Sequence, residues 1–355
     1  MQRLYVAISH HGLGHLAQTA PVLNALAAQA PGVEIVVRSA LAAEALAARL
    51  VMPFRHLPVA SDCNLVMHDA LRADLPASLD AYRRFHQDWP RRVEAEAREL
   101  DALGVDAVFS NVGYLPLAAA HRAGLPAWAM CSLNWADIAR HYLGQFPEMV
   151  PILDQMIEAY AGARAFLRPT PAMPMPALDN TVAIPPVVQS GRPQRGELLD
   201  RLGLAAGTKL ILVGMGGIRY RPPVERWPCR PGPVFLVPDD WRADHPCTRA
   251  LRETGLPFRD VLASSDALIT KPGYGSYVEA VAAGVPVLTI PRRDWPESVC
   301  LNDWLARHAR MQEIDEQVLI TGELDAPLAA LWSLPAKPPV VCDGAEVAAR
   351  RLLSA

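Results

Sequence analysis

Short apolar runs alternate with helical patterns along most of the chain. The runs are rich in Val, Ile and Leu, which is typical of buried strands. They predict strands at residues 4–9, 33–37, 54–59, 106–110, 126–130, 165–168, 209–213, 233–237 and 267–270. Helical periodicity predicts helices ending near 28, then at 41–50, 78–103 with a possible break at Pro90, 116–123, 151–165, 261–264, 276–283, 297–307 and 345–353.

This repeated strand and helix order predicts parallel, doubly wound sheets of the α/β class. Prolines at 169, 171, 174, 176, 185, 186 and 193 resist helix and central strand alike, and a second β-α pattern starts at 209. We therefore expect two Rossmann-like domains, at 1–188 and 189–338. A C-terminal helical segment at 339–355 can pack back on the first domain.

Composition indicates a globular protein and gives no sign of nucleic-acid binding. The chain is 51% hydrophobic and 20% charged, with a formal net charge of -3. Its six cysteines are scattered singly, which predicts reduced, buried thiols and no zinc site. The N-terminus has no signal-peptide pattern, and no apolar run is long enough for a transmembrane segment. We expect a cytoplasmic protein.

One candidate phosphate site lies in the stretch from Thr270 to Arg293. Gly273 and Gly275 permit a tight turn after a strand, and Ser276 is the expected cap of the following helix, which Gly284 ends. Backbone N–H groups at such a helix start bind phosphate. Glu279, about one turn further, could accept hydrogen bonds from a ribose diol. The alternative is an ordinary βαβ turn with a solvated Glu279.

A second glycine turn, Gly12-x-Gly14-x-x-Ala17, follows the first strand and fits the dinucleotide fingerprint. Arg38, after the second strand, stands where some such enzymes hold a 2′-phosphate, so an NADP-dependent oxidoreductase is a rival hypothesis. However, His15 occupies the position after the second glycine, where a histidine suits a general base. The alternative for His15 is a helix-start residue that only hydrogen-bonds its loop.

The motifs together resemble those of GT-B glycosyltransferases. The matching segments are Ser9-His-His-Gly-Leu-Gly-His15, Leu212-Val-Gly-Met-Gly-Gly217 and Ser276-x-x-Glu279-x-x-x-x-Gly284-x-Pro286, with Asp266 and Asn302 in register. The pattern is similar to that of family 28, which includes the bacterial enzyme that adds N-acetylglucosamine to the lipid-linked peptidoglycan precursor. A closer resemblance, over nearly the whole chain, is to the glycosyltransferase-like N-terminal region of plant arabinose kinases.

That second resemblance rests on the Gly-x-Gly-His loop, Asp62-Cys63, Met173-Pro-Met-Pro176, Lys271-Pro-Gly-Tyr-Gly275 and Arg292-Arg-Asp294. The kinase half of those proteins, with its glycine-serine phosphate loop, does not occur in this sequence. We therefore expect that this chain is not a sugar kinase.

The resemblance implies two Rossmann-like domains facing across a cleft and transfer of a sugar from a nucleotide diphosphate sugar such as a UDP-sugar to an acceptor hydroxyl. It implies His15 as the catalytic residue. It implies donor binding by Gly216, Gly217, Lys271, Gly273, Tyr274, Gly275, Ser276, Glu279, Arg293 and Glu297. The residues expected on the acceptor side or in the cleft are His11, Gly12, Gly14, Asn111, Asn134 and Asp137.

Two departures from the family pattern bear on substrate and cofactor. Arg293-Asp-Trp-Pro-Glu297-Ser298 replaces the usual acidic-Gln pair that contacts the donor sugar. No Asp-x-Asp motif follows a strand, so we expect no divalent metal that bridges the diphosphate. The resemblance implies an inverting reaction and no cofactor besides the nucleotide diphosphate sugar. The open alternatives are a nucleotide-sugar hydrolase or epimerase of the same fold and a non-catalytic nucleotide-sugar-binding protein.

Overall fold

A computed structural model describes residues 1–217 and 220–354 of the chain. It divides them into two compact units. The first unit comprises Met1–Val187 together with Cys342–Ala355, and the second comprises Val188–Val341. Each unit is a parallel sheet covered by helices, which confirms the predicted α/β class with two Rossmann-like domains.

The first unit is built on a seven-stranded sheet with the order β3-β2-β1-β4-β5-β6-β7. All its pairings are parallel. Its strands are β1 Arg3–Ile8, β2 Glu34–Arg38, β3 Arg55–Leu57, β4 Ala107–Asn111, β5 Ala127–Met130, β6 Ala165–Pro169 and β7 Thr181–Ile184. Its helices are α1 Gly14–Gln29, α2 Ala43–Ala47, α3 Leu75–His86, α4 Trp89–Leu103, α5 Leu115–Arg122, α6 Trp135–Leu143, α7 Met149–Ala161 and, from the chain's end, α15 Gly344–Leu353.

The C-terminal helix α15 belongs to the core of this first unit. Ala345, Ala348 and Leu352 are buried in the same apolar cluster as Leu16 and Leu23 of α1. Alanines on the contact face let two helix backbones approach closely, and the leucines fill the remaining space. The last residues therefore complete the hydrophobic layer on one side of the first sheet.

The second unit carries a six-stranded parallel sheet with the order β10-β9-β8-β11-β12-β13. The strands are β8 Lys209–Gly214, β9 Pro233–Val237, β10 Thr248–Ala250, β11 Ala267–Thr270, β12 Val287–Thr289 and β13 Met311–Glu313. The helices are α8 Arg195–Arg201, α9 Leu251–Thr254, α10 Phe258–Ala263, α11 Tyr274–Ala283, α12 Glu297–His308, α13 Glu316–Thr321 and α14 Asp325–Ser333, with 3-10 turns at Val224–Arg226 and Asp239–Trp241.

Prolines shape two of these elements. The pattern at 78–103 forms two helices that separate at Gln87 and Asp88, which confirms the predicted alternative of a break near Pro90; this proline is tolerated in the first turn of α4. The proline-rich segment contains the unpredicted strand β7, which lies at the sheet edge, where fewer ladder hydrogen bonds are required. Short elements such as α6, α8, β10 and β13 were also missed, because their apolar patterns are brief.

The prediction that all six cysteines are reduced and buried is wrong. Cys229 and Cys247 form a disulfide, since the parallel pairing of β9 with β10 brings together two loops that are 18 residues apart. Of the other four, Cys131 is buried, while Cys63, Cys300 and Cys342 are partly exposed. Within the described residues, no helix combines the length and apolar character needed to cross a bilayer.

Candidate functional site

In the first unit, the loop after β1 brings the start of α1 next to the end of β4. Ile8, the last residue of β1, lies opposite Asn111, the last residue of β4. Gly12 turns the loop with a φ of 75°, a conformation that favours glycine. His15 is the second residue of α1. The carboxyl ends of two adjacent strands thus place His15 beside Asn111.

The His15 imidazole is held by a chain of side-chain hydrogen bonds. Its Nδ1 lies 2.9 Å from Asn111 Oδ1. Asn111 Nδ2 donates to Gln18 Oε1 at 3.4 Å, and Gln18 Nε2 donates to Ser132 Oγ at 2.9 Å. An amide oxygen only accepts, so in this contact Nδ1 donates its proton and Nε2 of the neutral ring carries the lone pair. Gln18 was not among the predicted site residues.

Two other predicted cleft residues form hydrogen bonds at the start of α6. Asn134 is the N-cap of this helix and accepts a hydrogen bond from the backbone N–H of Asp137 at 2.7 Å. Asp137 also accepts from Asn134 Nδ2 at 2.8 Å and pairs with Arg140 at 2.9 Å. A polar segment after a strand thus proves to be a helix cap, a position at which asparagine is strongly preferred.

His11 lies on the other side of the same loop. Its ring centroid is 5.0 Å from that of Trp135, and its Nδ1 is 3.3 Å from Asn64 Oδ1. The His15 ring lies 5.5 Å from the same indole. The structure therefore brings His11 and His15 together around Trp135. At Gly14, between them, an added Cβ would have no neighbouring atom within 4 Å, so the space above this glycine is open.

Arg38 is committed to an internal ion pair. Its guanidinium donates to the buried carboxylate of Glu96, to Glu99 at 2.9 Å and to Tyr5 Oη at 3.3 Å. Burial raises the pKa of the Glu96 carboxyl, and Arg38 opposes that shift. The idea that Arg38 holds a 2′-phosphate loses its support, because the side chain already neutralises a buried charge.

In the second unit, the carboxyl ends of three adjacent strands form the corresponding edge. Thr270 of β11 lies opposite Gly214 of β8 on one side and Thr289 of β12 on the other. Helix α11 starts at this edge. Its first intrahelical bond runs from Tyr277 N to Gly273 O at 3.1 Å, so three backbone amides at residues 274–276 precede the helical ladder.

The cap of α11 differs from the prediction. Gly273 is the N-cap, in extended backbone with φ of -169°, and Ser276 is the third helical residue. The helix starts earlier than predicted because a glycine N-cap needs no side-chain hydrogen bond. Gly284 ends the helix with φ of 69°, as predicted. Tyr274, expected at the donor, is buried in the apolar core of this unit.

Glu279 lies between one and two turns inside α11, as predicted, but it is not solvated. The residue is only 6% exposed. A buried carboxylate needs hydrogen-bond donors or a positive charge nearby. The alternative of a solvated helix residue is therefore wrong for Glu279.

A cation cluster follows β11 and β12, formed by Lys271 and Arg292 with Trp295 and Glu297. Burial lowers the pKa of Lys271 to about 8, with a further lowering by Arg292 and an opposing effect of Glu297. The Arg292 guanidinium lies 3.9 Å from the centroid of the Trp295 ring. Trp295 Nε1 in turn donates to Glu297 Oε2 at 3.1 Å. Two cations and one carboxylate give this cluster a net positive charge.

The glycine-containing loop that follows β8 lies near this cluster. Gly216 has a φ of 78°, and a Cβ added there would lie 3.9 Å from Lys271 Nζ. A glycine at this position suits both the left-handed backbone conformation and the close approach of the Lys271 side chain to the main chain. Gly217, the next residue, borders the segment that the structure does not describe.

Arg293, a predicted donor-binding residue, points away from the cluster. Its side chain is 81% exposed and pairs with Glu313 at 2.8 Å. The inward cation is its neighbour Arg292, which is 4% exposed and was not in the predicted set. Both residues follow the end of β12, so the alternation of side chains along a strand does not predict which of the two points inward. The sequence signal was the Arg292-Arg293 pair itself, which does not reveal which member turns inward.

Comparisons with known proteins identify one relative by sequence and several by fold. No family model matches the chain. It is 25% identical over 357 residues to L-arabinokinase of Arabidopsis thaliana, covering 97% of this chain and 33% of that protein, so the chain spans about a third of the length of this curated relative.

Solved structures of the same fold cover the whole chain. The glycotransferase of kitacinnamycin matches with a TM-score of 0.63 at 16% identity, covering 99% of this chain and 95% of its own. A putative UDP-N-acetylglucosamine 2-epimerase from Listeria monocytogenes matches with a TM-score of 0.53 at 15% identity, covering 99% and 95%. The fold is that of GT-B glycosyltransferases, and at these identities the similarity establishes the fold alone.

Proposed function

We propose that this protein is a glycosyltransferase that moves a sugar from a nucleotide diphosphate sugar to an acceptor hydroxyl by a metal-independent, inverting reaction. The observation that carries the proposal is the 2.9 Å contact of His15 Nδ1 with Asn111 Oδ1. It directs the lone pair of a neutral imidazole to Nε2, as general-base catalysis requires. The GT-B fold, shared by a glycotransferase and a nucleotide-sugar epimerase, supports the same substrate class.

The base acts on the acceptor. In the proposed step, His15 Nε2 takes the proton of the acceptor hydroxyl while its oxygen attacks the anomeric carbon. The bond from that carbon to the diphosphate oxygen breaks at the same time, and the nucleotide leaves as a diphosphate. Attack opposite to the leaving group inverts the anomeric centre. Asn111 is a positioning residue here, since it acts through the His15 ring.

The second unit supplies the charge for the leaving group. The backbone amides at the start of α11 and the cations Lys271 and Arg292 are proposed to bind the diphosphate, where a preorganised positive charge stabilises the developing negative one. Glu279 is proposed to accept hydrogen bonds from the ribose hydroxyls, and Glu297 from the donor sugar. This charge takes the place that a divalent metal would otherwise fill.

The test uses His15→Ala in a coupled assay of nucleotide release with UDP-sugars. Loss of the base should lower kcat by about a hundredfold or more, while UDP binding, measured by titration calorimetry, stays unchanged. His121→Ala, an exposed histidine of α5, is the matched control. Turnover equal to wild type in His15→Ala would contradict the proposal.

The same assay and two binding measurements separate the alternative functions. A hydrolase or epimerase of the same fold consumes the UDP-sugar without any acceptor, whereas a transferase releases nucleotide only when an acceptor is added. A binding protein without activity raises the melting temperature in the presence of UDP and releases nothing. An NADP-dependent oxidoreductase would quench tryptophan fluorescence on titration with NADPH.

A further inference from the structure

An open pocket of about 450 Å³ lies in the first unit, between the second half of α3 and the first half of α7. This volume falls within the range of about 300 to 1,000 Å³ that is typical of sites for small organic molecules. None of the described residues that line this α3–α7 pocket is among those proposed for catalysis or donor binding. Its lining includes Arg83, Arg84, His86, Pro151, Ile152 and Gln155.

A buried imidazole fixes the direction of one amide in this pocket. His86 is 7% exposed, and burial lowers its pKa to about 4, so the ring is neutral at pH 7. Its Nδ1 lies 2.7 Å from Gln155 Oε1, and its Nε2 lies 3.0 Å from Tyr114 Oη. An amide oxygen only accepts, so Nδ1 donates to Gln155 and Nε2 accepts from the tyrosine hydroxyl. No described residue accepts a hydrogen bond from Gln155 Nε2, which leaves this donor for a ligand.

Two guanidinium groups of α3 line the same pocket. Arg83 pairs with Glu148, and Arg84 pairs with Asp80 at 2.9 Å. The two arginine side chains are 52% and 71% exposed. Exposed pairs of this kind contribute little to stability, so an anionic ligand can replace either carboxylate as the partner of its arginine.

A third guanidinium lies close to the imidazole. The Arg92 guanidinium is 4.9 Å from the centroid of the Phe85 ring, and its charge contributes to the lowered pKa of His86. None of the described carboxylates pairs with Arg92. Among the lining residues themselves, the two arginines outnumber the one acidic residue, Asp80. The pocket therefore has a positive potential, which attracts anions.

The donors that line the pocket define the ligand. Two guanidiniums come from α3, and one carboxamide comes from α7. A phosphoryl group has three strong acceptor oxygens, one for each of these groups, whereas a carboxylate has only two. Guanidinium groups also bind phosphoryl oxygens in a bidentate manner. Pro151 and Ile152 add apolar surface for a carbon-containing part of the ligand.

We propose that the α3–α7 pocket binds a phosphate monoester of a small organic molecule. Its phosphoryl group accepts hydrogen bonds from Arg83, Arg84 and Gln155. Its organic part packs against Pro151 and Ile152. The site is independent of the proposed function, because it uses none of the residues that the proposed reaction requires.

The test titrates the full chain with phenyl phosphate, inorganic phosphate and phenol, each with and without UDP. Phosphorus NMR follows the two phosphates, and proton saturation-transfer NMR follows phenol. Phenyl phosphate should bind with a Kd on the order of 1 mM or tighter, and inorganic phosphate should bind about tenfold more weakly. Phenol should not bind, because it offers no charge to the guanidiniums.

Two variants separate binding from folding. The double variant Arg83→Gln with Arg84→Gln removes both guanidiniums at exposed positions, so the fold should persist while phenyl phosphate affinity falls about tenfold or more. Gln155→Glu keeps an oxygen for His86 Nδ1 but replaces the free donor by a negative charge, so it should lower this affinity at least as much. If Gln155→Glu fails to fold, the arginine double variant alone decides.

Arg98→Gln is the matched control, because Arg98 is an exposed arginine of the neighbouring helix α4 that pairs with Glu94 at 3.7 Å and does not line the pocket. It should leave phenyl phosphate affinity unchanged. Lys271→Met should also leave it unchanged while weakening UDP binding. The arginine double variant should show the reverse, with weaker phenyl phosphate binding and unchanged UDP affinity.

Phenyl phosphate affinity equal to wild type in the arginine double variant would overturn the inference. So would a loss confined to Lys271→Met, because the ester would then occupy the proposed donor site. Binding of inorganic phosphate or phenol as tight as that of phenyl phosphate would overturn the ligand class. Failure of UDP to bind while phenyl phosphate binds would overturn only the proposed donor.

Discussion

A neutral amide, and not a carboxylate, faces the imidazole of His15. Asn111 Oδ1 accepts from Nδ1 at 2.9 Å, which orients the ring without placing a negative charge beside it. Asn111→Asp should add that charge. We expect the acid limb of the kcat/KM profile to move to higher pH by about one unit or more, because the new carboxylate stabilises the imidazolium.

Gln87→Glu provides the control for this shift. It introduces the same charge in the first unit at an exposed position between α3 and α4. Its pH profile should match that of wild type. If Asn111→Asp also leaves the profile in place, the amide does not position the base.

The buried ammonium group of Lys271 lowers the stability of the fold at neutral pH. Its pKa of about 8 in the folded protein lies below its ordinary value of 10.5, because burial disfavours the ammonium form. The unfolded chain therefore binds more protons between these two values, and the free energy of unfolding should rise with pH through this window. Lys271→Met should remove that rise, increase the melting temperature at pH 7 and weaken UDP binding by about tenfold.

Thermal denaturation between pH 7 and pH 10 measures this effect, and titration calorimetry measures UDP affinity. Lys209→Met is the matched control, since Lys209 is half exposed and pairs with Asp266 at 2.8 Å. It should leave UDP affinity unchanged. A lower melting temperature at pH 7 in Lys271→Met would show that the buried charge is not a cost to the fold.

At the scale of an element, the two ends of α11 have different tasks. Gly273 has an extended φ, and a Cβ there would meet only Lys271 O at 3.8 Å, an ordinary contact. Gly273→Ala should therefore keep the fold but crowd the amides proposed to bind diphosphate, so UDP affinity falls by about tenfold. Gly284 has φ of 69°, so Gly284→Ala should lower stability by about 1 kcal/mol and leave UDP affinity unchanged. Calorimetry and thermal denaturation of both variants test this; equal UDP affinities would contradict a diphosphate at this helix end.

Strand β2 and helix α4 are joined by the ion pair of Arg38 with Glu96, whose side chains are 10% and 4% exposed. Arg38→Ala leaves a buried carboxylate without its cation and should cost about 3 to 5 kcal/mol. Arg98→Ala, which breaks an exposed pair with Glu94 inside α4, should cost less than about 1 kcal/mol. Urea denaturation measures both. Equal effects would mean that the pair does not hold the helix to the sheet.

At the scale of the whole molecule, the two apolar cores have no residue in common among residues 1–217 and 220–354. Leu352 of α15 belongs to the core of the first unit and Leu305 of α12 to that of the second, and both are fully buried. Either Leu→Ala change should cost about 2 to 5 kcal/mol within its own core. In amide hydrogen exchange, Leu352→Ala should reduce protection in β1 and β4, and Leu305→Ala in β8 and β11. Loss of protection in both sheets from either change would show that the units unfold together.

The sequence alone determined the architecture, because strand and helix periods and glycine stops are local signals. The strands at 233–237 and 267–270 and the end of α11 at Gly284 were predicted without error. Tertiary structure alone decided which side chains face the candidate sites. The inward turn of Arg292, the partner of Arg38 at Glu96 and the contact of Asp62 with Trp135 depend on packing between distant segments. A side chain's neighbours, unlike its secondary structure, are set by residues that local periodicity does not reach.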